Sequence, residues 1–195
     1  MVAADPASAK RLLRLEMRAL RPTLARAAPD AAERVAEGAH MDELARFKVI
    51  AGYRPIQDEI DPGPLMDRLA ARGAALALPV TAPKGSGEPM CYHRWSPGEP
   101  LRLSEFRVPE PAPDAPEATP DLIITPLIAF DRTGARLGYG QGHFDRTLAA
   151  LRRDHEVFVL GLAYAGQEVA RVPAEPHDER FDAVLTEKGW IDIPR

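Results

Sequence analysis

The feature that most constrains this chain is a glycine-rich turn between an apolar run and a segment with helical character. Glycines alternate at positions 138, 140 and 142 within the segment RLGYGQGHFDR, residues 136–146. The apolar run 121–125 precedes this segment, and residues 144–153 are predicted to form a helix. Because glycine has no Cβ, its backbone N–H groups can approach an anion closely, and a helix N-terminus favours negative charge. The turn therefore predicts a polyphosphate site, although a bend that needs glycines with positive φ explains the same spacing.

Strand-like and helix-like patterns alternate along most of the chain. Helices are predicted over residues 8–27 with Ser8 as N-cap, 30–47, 62–72 and 144–153. Strands are predicted over residues 48–53, 74–79, 90–95, 121–125, 157–163 and 183–186, of which 90–95 is antiparallel. The proline-rich residues 97–120 are predicted to be an extended surface loop.

This order of elements predicts an α/β fold. We expect residues 1–195 to form a single domain with a mainly parallel, twisted sheet and helices on both faces, a three-layer, Rossmann-like arrangement. Ligands of such sheets bind at the carboxyl ends of the strands, where the glycine-rich turn is expected.

Composition restricts the possible partners. The 195 residues carry a formal net charge of −4 and a single cysteine, Cys91. This charge argues against a generic nucleic-acid binder, and a lone cysteine fits a reducing cytoplasm. No apolar run approaches the roughly 20 residues of a membrane span. We therefore expect a cytoplasmic monomer that binds a small molecule and neither nucleic acid nor membrane.

Two cations lie on one face of the first predicted helix. Lys10 and Arg14 are four residues apart, so their side chains project one turn from each other and can grip the phosphates of a nucleotide. A solvated basic face is the alternative interpretation. The pair gains significance only if this helix packs near the glycine-rich turn.

Three carboxylates are candidate ligands. Glu59 follows a predicted strand and can accept hydrogen bonds from a pterin-like or amide N–H system, although an acidic helix start is the alternative. Asp145 begins the helix after the turn and suits magnesium bound to polyphosphate, and Asp178 offers a second ligand. His177 is more typical of a surface or orienting histidine than of a metal ligand.

Several short motifs follow one another along the chain, each occurring once. They are AKRLLR at 9–14, QDEI at 57–60, PLIAFD at 126–131, RLGYGQGHFDR at 136–146, GLAY at 161–164 and DAVLTE at 182–187. Together they resemble the 5-formyltetrahydrofolate cyclo-ligase family, also called 5,10-methenyltetrahydrofolate synthetases. The resemblance covers essentially the whole chain, and its Arg-Leu-Gly-x-Gly-x-Gly-x-aromatic-Asp core is specific for that family.

The resemblance implies an ATP- and magnesium-dependent ligase of one-carbon metabolism. Its reaction converts 5-formyltetrahydrofolate to 5,10-methenyltetrahydrofolate through a phosphorylated formyl intermediate, with release of ADP and phosphate. Such phosphoryl transfer needs charge neutralisation and in-line positioning more than a dedicated base.

The resemblance also implies roles for individual residues. Arg136 and Asp145 are implied to be catalytic, and Asp145 and Asp178 to bind magnesium. The implied nucleotide-binding residues are Lys10, Arg14, Arg136, Leu137, Gly138, Tyr139, Gly140, Gln141, Gly142, His143 and Phe144. The implied folate-binding residues are Arg54, Glu59, Tyr139, Gly140, Gln141, Gly142 and His143.

The chain departs from the family pattern at His143 and Phe144, where many relatives have two tyrosines. This change removes two phenolic hydroxyls but keeps an aromatic ring for stacking at Phe144. A nucleotide- or folate-binding regulator that has lost turnover is therefore an alternative, and a phosphosugar isomerase or CoA-transferase-like enzyme on a related scaffold is another. The first is disfavoured by the complete set of cations and carboxylates, the second by the absence of a recognisable nucleophile or base.

Overall fold

The computed structural model describes residues 5–175 and 178–194. The helices are α1 (Pro6–Ala27), α2 (Ala31–Gly38), α3 (Met41–Leu44), α4 (Gly63–Ala70) and α5 (His143–Asp154), with a short 3-10 helix at Ala165–Gln167. The strands are β1 (Val49–Ala51), β2 (Ala75–Val80), β3 (Cys91–Arg94), β4 (Arg102–Leu103), β5 (Pro109–Glu110), β6 (Leu122–Pro126), β7 (Ala129–Phe130), β8 (Arg136–Leu137), β9 (Phe158–Leu162), β10 (Ala183–Thr186) and β11 (Gly189–Asp192).

Seven of these strands form one sheet in the order β11-β10-β9-β6-β1-β2-β3. The five central strands pair in parallel. The two edge strands, β3 and β11, pair antiparallel with their neighbours. The predicted mainly parallel α/β sheet is therefore confirmed, including the antiparallel strand within residues 90–95.

Successive side chains of the strands point to opposite faces of the sheet, and helices pack against both faces. Ile50 and Leu76 pack in a core that includes residues of α2, α3 and α4. Ala51 and Ile123 belong to a second core that includes Leu148 of α5. The predicted three layers are thus confirmed, and the fully buried leucines of the first core each contribute roughly 1.5–3 kcal/mol to folding.

The first helix begins earlier than predicted. Asp5 is its N-cap, because the Asp5 carboxylate accepts a hydrogen bond from the Ser8 backbone N–H at 3.3 Å and Pro6 begins the first turn. The predicted cap at Ser8 is therefore wrong. Met17 of α1 packs with Ile128 and Leu137 in a third apolar cluster, which fixes α1 against the β7–β8 hairpin.

Two other predicted elements differ from the structure, and one edge strand was not predicted. The helix predicted over 30–47 is interrupted at Ala39, whose backbone is extended, so α2 and α3 are separate helices. The proline-rich residues 97–120 contain the β4–β5 hairpin and a bridge between Glu117 and His93. The strand at Ala183–Thr186 is followed by β11. Two-residue strands and the four-residue edge strand β11 are too short to show a periodicity that can be recognised from sequence.

The sheet contains a topological switch point between β1 and β6. From β1 the chain passes to β2 on one side, whereas β6, β9 and β10 extend the sheet on the other side. At the carboxyl end of β1 lie residues 53–59, and after β6 come the β7–β8 hairpin and the glycine-rich turn. In open α/β sheets the crevice at such a point is the usual ligand site.

Candidate functional site

A cavity of about 390 Å³ lies at this switch point. All the residues that were expected to bind nucleotide, folate or magnesium line it: Lys10, Arg14, Arg54, Glu59, Arg136, Leu137, Gly138, Tyr139, Gly140, Gln141, Gly142, His143, Phe144, Asp145 and Asp178. Segments far apart in sequence are thereby brought together. We call the group Lys10, Arg14, Arg136, Asp145 and Asp178 the turn end of the cavity, and the group Arg21, Glu59 and Tyr139 the Glu59 end.

A larger cavity of about 820 Å³ lies at the amino ends of the strands and contains none of these residues. Arg152, in its wall, is already bonded to Glu179 at 2.6 Å and to Asp182 at 3.2 Å. We therefore assign the chemistry to the smaller cavity, where the candidate ligands converge.

The glycine-rich turn has the backbone that its glycines predict. Gly140 and Gly142 have φ values of 94° and 66°, and Gly142 is the N-cap of α5. A Cβ at Gly140 would lie 3.4 Å from Arg14 Cζ, and one at Gly142 would lie 2.7 Å from the Arg146 guanidinium. Glycine at these positions is thus needed both for the positive φ and for the close approach of arginine.

The turn packs directly against α1. Arg14 Nε donates a hydrogen bond to the Gly138 carbonyl oxygen at 2.8 Å. The first helix therefore lies beside the turn, which was the condition for reading its two cations as anion ligands. The alternative of a solvated basic face is not supported.

Lys10 is buried between two carboxylates. Its Nζ lies 2.6 Å from Asp178 Oδ2 and 2.7 Å from Glu175 Oε2, and its side chain is only 8% exposed. Burial alone would lower the pKa of Lys10, but the hydrogen bonds and charges of Asp178 and Glu175 raise it above the ordinary value. Lys10 is thus a permanent cation in the cavity wall. His177 lies outside the described residues.

Arg136 and Asp145 form a second ion pair at the turn end. Arg136 Nη2 donates to Asp145 Oδ1 at 2.7 Å, and the Glu179 N–H donates to the same oxygen at 3.2 Å. The guanidinium also lies 5.6 Å from the Phe144 ring centroid. Burial lowers the pKa of Arg136, and the charge of Asp145 opposes this effect. A buried but charged arginine is the result.

The carboxylates of the turn end suit a magnesium ion that arrives with polyphosphate. Asp145 and Asp178 face the same cavity, and magnesium usually takes one or two carboxylates plus phosphate oxygens and water. Within residues 5–175 and 178–194, no group of three His, Cys, Asp or Glu side chains could hold a metal alone. The donor set therefore fits a shared ion better than a cage built by protein alone.

The Glu59 end is more deeply buried. The Glu59 side chain is 3% exposed, and its Oε2 accepts a hydrogen bond from the Ile56 N–H at 2.9 Å. The Tyr139 hydroxyl donates a hydrogen bond to Glu59 Oε1. Burial raises the pKa of Glu59, while Tyr139, the Ile56 N–H and Arg21 oppose that rise.

Arg21 completes this end and was not predicted. It is 3% exposed, and its Nη1 donates to the Tyr139 hydroxyl at 2.8 Å and lies 3.8 Å from Glu59 Oε1. A sequence signal for it does exist, since Lys10, Arg14, Met17 and Arg21 repeat at spacings of four, three and four, which places them on one helix face. Basic residues on a helix face that would otherwise be apolar indicate a candidate site.

Two aromatic contacts support residues that line the cavity. The Arg54 guanidinium lies 5.8 Å from the Trp95 ring centroid. The Phe106 ring, on the β4–β5 hairpin, meets the His143 ring edge-on at 5.5 Å. Burial and the charge of Arg146 lower the pKa of His143, which is therefore neutral at neutral pH. Glu175 also lines the cavity, and Phe106 contacts a lining residue; the sequence patterns indicated neither of these roles.

Residues 6–187 match the model of the 5-formyltetrahydrofolate cyclo-ligase family. Among curated proteins, the 5-formyltetrahydrofolate cyclo-ligase of Escherichia coli K12 is 33% identical over 146 residues, which cover 72% of this chain and 79% of that protein. That of Mycolicibacterium smegmatis is 35% identical over 150 residues, covering 74% of this chain and 76% of the relative.

Solved structures of 5,10-methenyltetrahydrofolate synthetases resemble this chain. The chain resembles the NMR structure of Aquifex aeolicus 5,10-methenyltetrahydrofolate synthetase with a TM-score of 0.77 and 29% identity, covering 95% of this chain and 93% of the other. A 5,10-methenyltetrahydrofolate synthetase from Mycoplasma pneumoniae, at 20% identity and a TM-score of 0.67, shares the fold. Among the described residues, no helix combines the length and apolarity needed to cross a membrane.

Proposed function

The chain belongs to the 5-formyltetrahydrofolate cyclo-ligase family, and on that premise we propose that it converts 5-formyltetrahydrofolate to 5,10-methenyltetrahydrofolate, using ATP and magnesium and releasing ADP and phosphate. One observation carries the proposal: a single cavity joins a cationic, glycine-rich end to a buried carboxylate. A polyphosphate suits the first of these and a folate head group the second.

At the turn end, the nucleotide would meet three cations and a backbone cradle. Lys10 and Arg14 approach from α1, and Arg136 comes from β8. The glycine-rich turn and the N-terminus of α5 supply unhindered backbone and a favourable dipole. Magnesium, held by Asp145 and Asp178, would neutralise charge on the phosphates and hold them for in-line transfer.

The Glu59 end would bind the folate head group. An ionised carboxylate has about four acceptor positions. Two are engaged by the Ile56 N–H and the Tyr139 hydroxyl. Glu59 therefore retains capacity for two N–H donors, the pattern that the amino and ring N–H groups of a pterin present. Arg54 would line the same pocket.

The proposed chemistry has two steps. The formyl oxygen attacks the γ-phosphorus, the bond to the ADP oxygen breaks, and the formyl carbon becomes electrophilic because its oxygen is now a phosphate ester. N10 of the folate then attacks this carbon, the carbon–oxygen bond breaks, phosphate leaves and the N10 proton passes to solvent. Arg136, the third cation at the turn end, would stabilise the charge that develops during the phosphoryl transfer.

We further propose that residues 1–195 act as one catalytic domain and as a monomer in the cytoplasm, on folates with or without a polyglutamate tail. In support, α1, the glycine-rich turn and residues 175 and 178 of the same chain all line the cavity. The net charge of −4 likewise gives no reason to add a nucleic-acid partner.

The direct test is turnover. Purified protein is incubated with 5-formyltetrahydrofolate, ATP and magnesium, and the methenyl chromophore is followed, with parallel reactions lacking ATP or containing EDTA. We expect product only in the complete mixture. No signal above the reaction without ATP would overturn the enzymatic role.

The phosphorylated intermediate has its own test. When the formyl oxygen carries a heavy-oxygen label, that label is expected in the released phosphate, because the formyl carbon–oxygen bond breaks after phosphorylation. Label that appears in water instead would contradict the proposed intermediate without contradicting the overall reaction.

A further inference from the structure

Arg21 is a buried cation outside the lining of the cavity. Its side chain is 3% exposed, yet within the described part of the chain its Nε has no hydrogen-bond partner. A buried arginine is costly unless its charge is well compensated, and an apolar residue of similar volume often gives equal or better stability at such a position. Stability alone therefore does not explain this residue.

The contacts that Arg21 does make are with two groups that face the cavity. Its Nη1 donates to the Tyr139 hydroxyl at 2.8 Å and lies 3.8 Å from Glu59 Oε1. The guanidinium carbon lies 5.7 Å from the Tyr139 ring centroid. Arg21 accordingly holds the Tyr139 oxygen as an acceptor, so the Tyr139 proton points to Glu59.

This orientation determines what Glu59 offers to a ligand. With the Tyr139 proton directed at one carboxylate oxygen and the Ile56 N–H at the other, the remaining acceptor positions have fixed directions. Without Arg21, the Tyr139 hydroxyl loses the donor that orients it. Precise recognition of paired N–H donors depends on such support of the directly contacting residues.

On the premise of the proposed function, we propose that Arg21 is a positioning residue for recognition of the folate head group. It acts through Glu59 and Tyr139 and does not touch the substrate. This assignment makes α1 part of both ends of the cavity.

Charge adds a second expectation. Among the described residues, the titratable and charged groups that act on Glu59 are Arg21 from α1, Tyr139 from the turn and Tyr53 from the end of β1, and Asp61 and Tyr164 act in turn on Tyr53. Burial raises the pKa of Tyr139 and Tyr53, so they remain neutral and Arg21 is the cation that opposes protonation of Glu59. Removing Arg21 should therefore raise the pKa of Glu59 and shift the loss of folate binding at acid pH toward higher pH.

The test compares binding of 5-formyltetrahydrofolate and of ATP, each measured alone by calorimetry, in the wild type and in Arg21→Met. We expect the Kd for the folate to rise about 10- to 100-fold, the range for loss of hydrogen bonds to a charged group, and the Kd for ATP to change less than about threefold. The matched control is Arg18→Met, because Arg18 is exposed and its guanidinium carbon lies 5.9 Å from the same Tyr139 ring. That variant should bind the folate within about twofold of the wild type.

A second variant covers the case in which Arg21→Met does not fold, as judged by thermal unfolding. Arg21→Lys keeps the charge but not the forked donors, so its folate Kd should rise by less than the about 10- to 100-fold expected for Arg21→Met, and by more than its ATP Kd, when each is compared with the wild type. Equal changes in the two Kd values, or no change, would overturn the role of Arg21. If the wild type fails to bind the folate, the proposed function itself fails, which is a separate result.

Discussion

At the turn end of the cavity the carboxylates of Asp145 and Asp178 are 24% and 15% exposed, and a cation holds each of them. At the Glu59 end the carboxylate is 3% exposed and is fixed by a backbone N–H and a tyrosine. On the proposed function, magnesium would replace the cations on the carboxylates of the first arrangement while phosphate oxygens take up those cations. The contacts of the second arrangement would stay as they are. We therefore expect the turn end to rearrange when its ligands bind and the Glu59 end to recognise its ligand without rearrangement.

The largest effect should come from removing a carboxylate at the turn end. In Asp145→Asn we expect kcat to fall by about a thousandfold, because charge stabilisation during phosphoryl transfer is lost. The amide oxygen can still accept from Arg136, so the fold should survive. The measurement is methenyl formation as a function of magnesium concentration.

Asp154→Asn is the matched control, because Asp154 ends the same helix and is exposed. It should keep wild-type activity. Full activity in Asp145→Asn would show that the carboxylate has no metal role, and the contrast between the two ends would disappear.

Glu59→Gln should affect binding more than chemistry. The amide replaces one acceptor oxygen with a donor that faces the pterin N–H groups, so the KM for 5-formyltetrahydrofolate should rise about 100-fold. The KM for ATP and the kcat at saturation should change little, as initial rates over both substrates will show. The neighbouring Asp58→Asn provides the control. An equal loss in kcat would mean that the Glu59 end takes part in the rearrangement.

Lys10→Ala should weaken ATP binding by a smaller factor. The substitution removes one of the three cations at the turn end, so the KM for ATP should rise about tenfold. The KM for the folate should stay near the wild-type value. Arg11→Ala, which removes an exposed cation from the adjacent position of α1, should have little effect in the same initial-rate assay. An unchanged KM for ATP in Lys10→Ala would return Lys10 to a purely structural role with Glu175 and Asp178.

The smallest expected effect is on the pH dependence of the free energy of unfolding, through the protonation of His143. Its folded-state pKa is lowered by burial and by Arg146, so the unfolded chain binds more protons below the ordinary histidine pKa. Wild-type stability should thus fall as pH drops from about 7.5 to about 5, and His143→Gln should lose less over the same range. Thermal unfolding at both pH values measures this. A parallel loss in the two proteins would show that His143 titrates normally.

The sequence was sufficient to predict the parallel sheet and the components of the turn end. Long apolar strands have clear patterns, and Lys10, Arg14, Asp145 and the alternating glycines are chemically conspicuous. The position of Glu59 after a strand made it a candidate, and the family resemblance then implied that it binds the folate head group. All of these residues do line one cavity, whereas their roles in binding and catalysis remain predictions.

What the sequence did not predict depends on tertiary contact. Arg21 looks like one more arginine of a basic helix until the fold places it against Tyr139 and Glu59. The β7–β8 hairpin is made of two-residue strands, which have no detectable period. The N-cap is Asp5 and not the predicted Ser8; both residue types are good caps, so only the helix geometry separates them.

The single helix that supplies Lys10, Arg14 and Arg21 also has a consequence for how this protein can vary. A helix rises 1.5 Å per residue, so Lys10 and Arg21 lie about 16 Å apart along the axis of α1. Inserting or deleting one residue between them would rotate one of the two side chains by about 100° about the helix axis relative to the other. That side chain would then no longer reach its end of the cavity. The number of residues from Lys10 to Arg21 is therefore set by the distance between the two ends of the cavity.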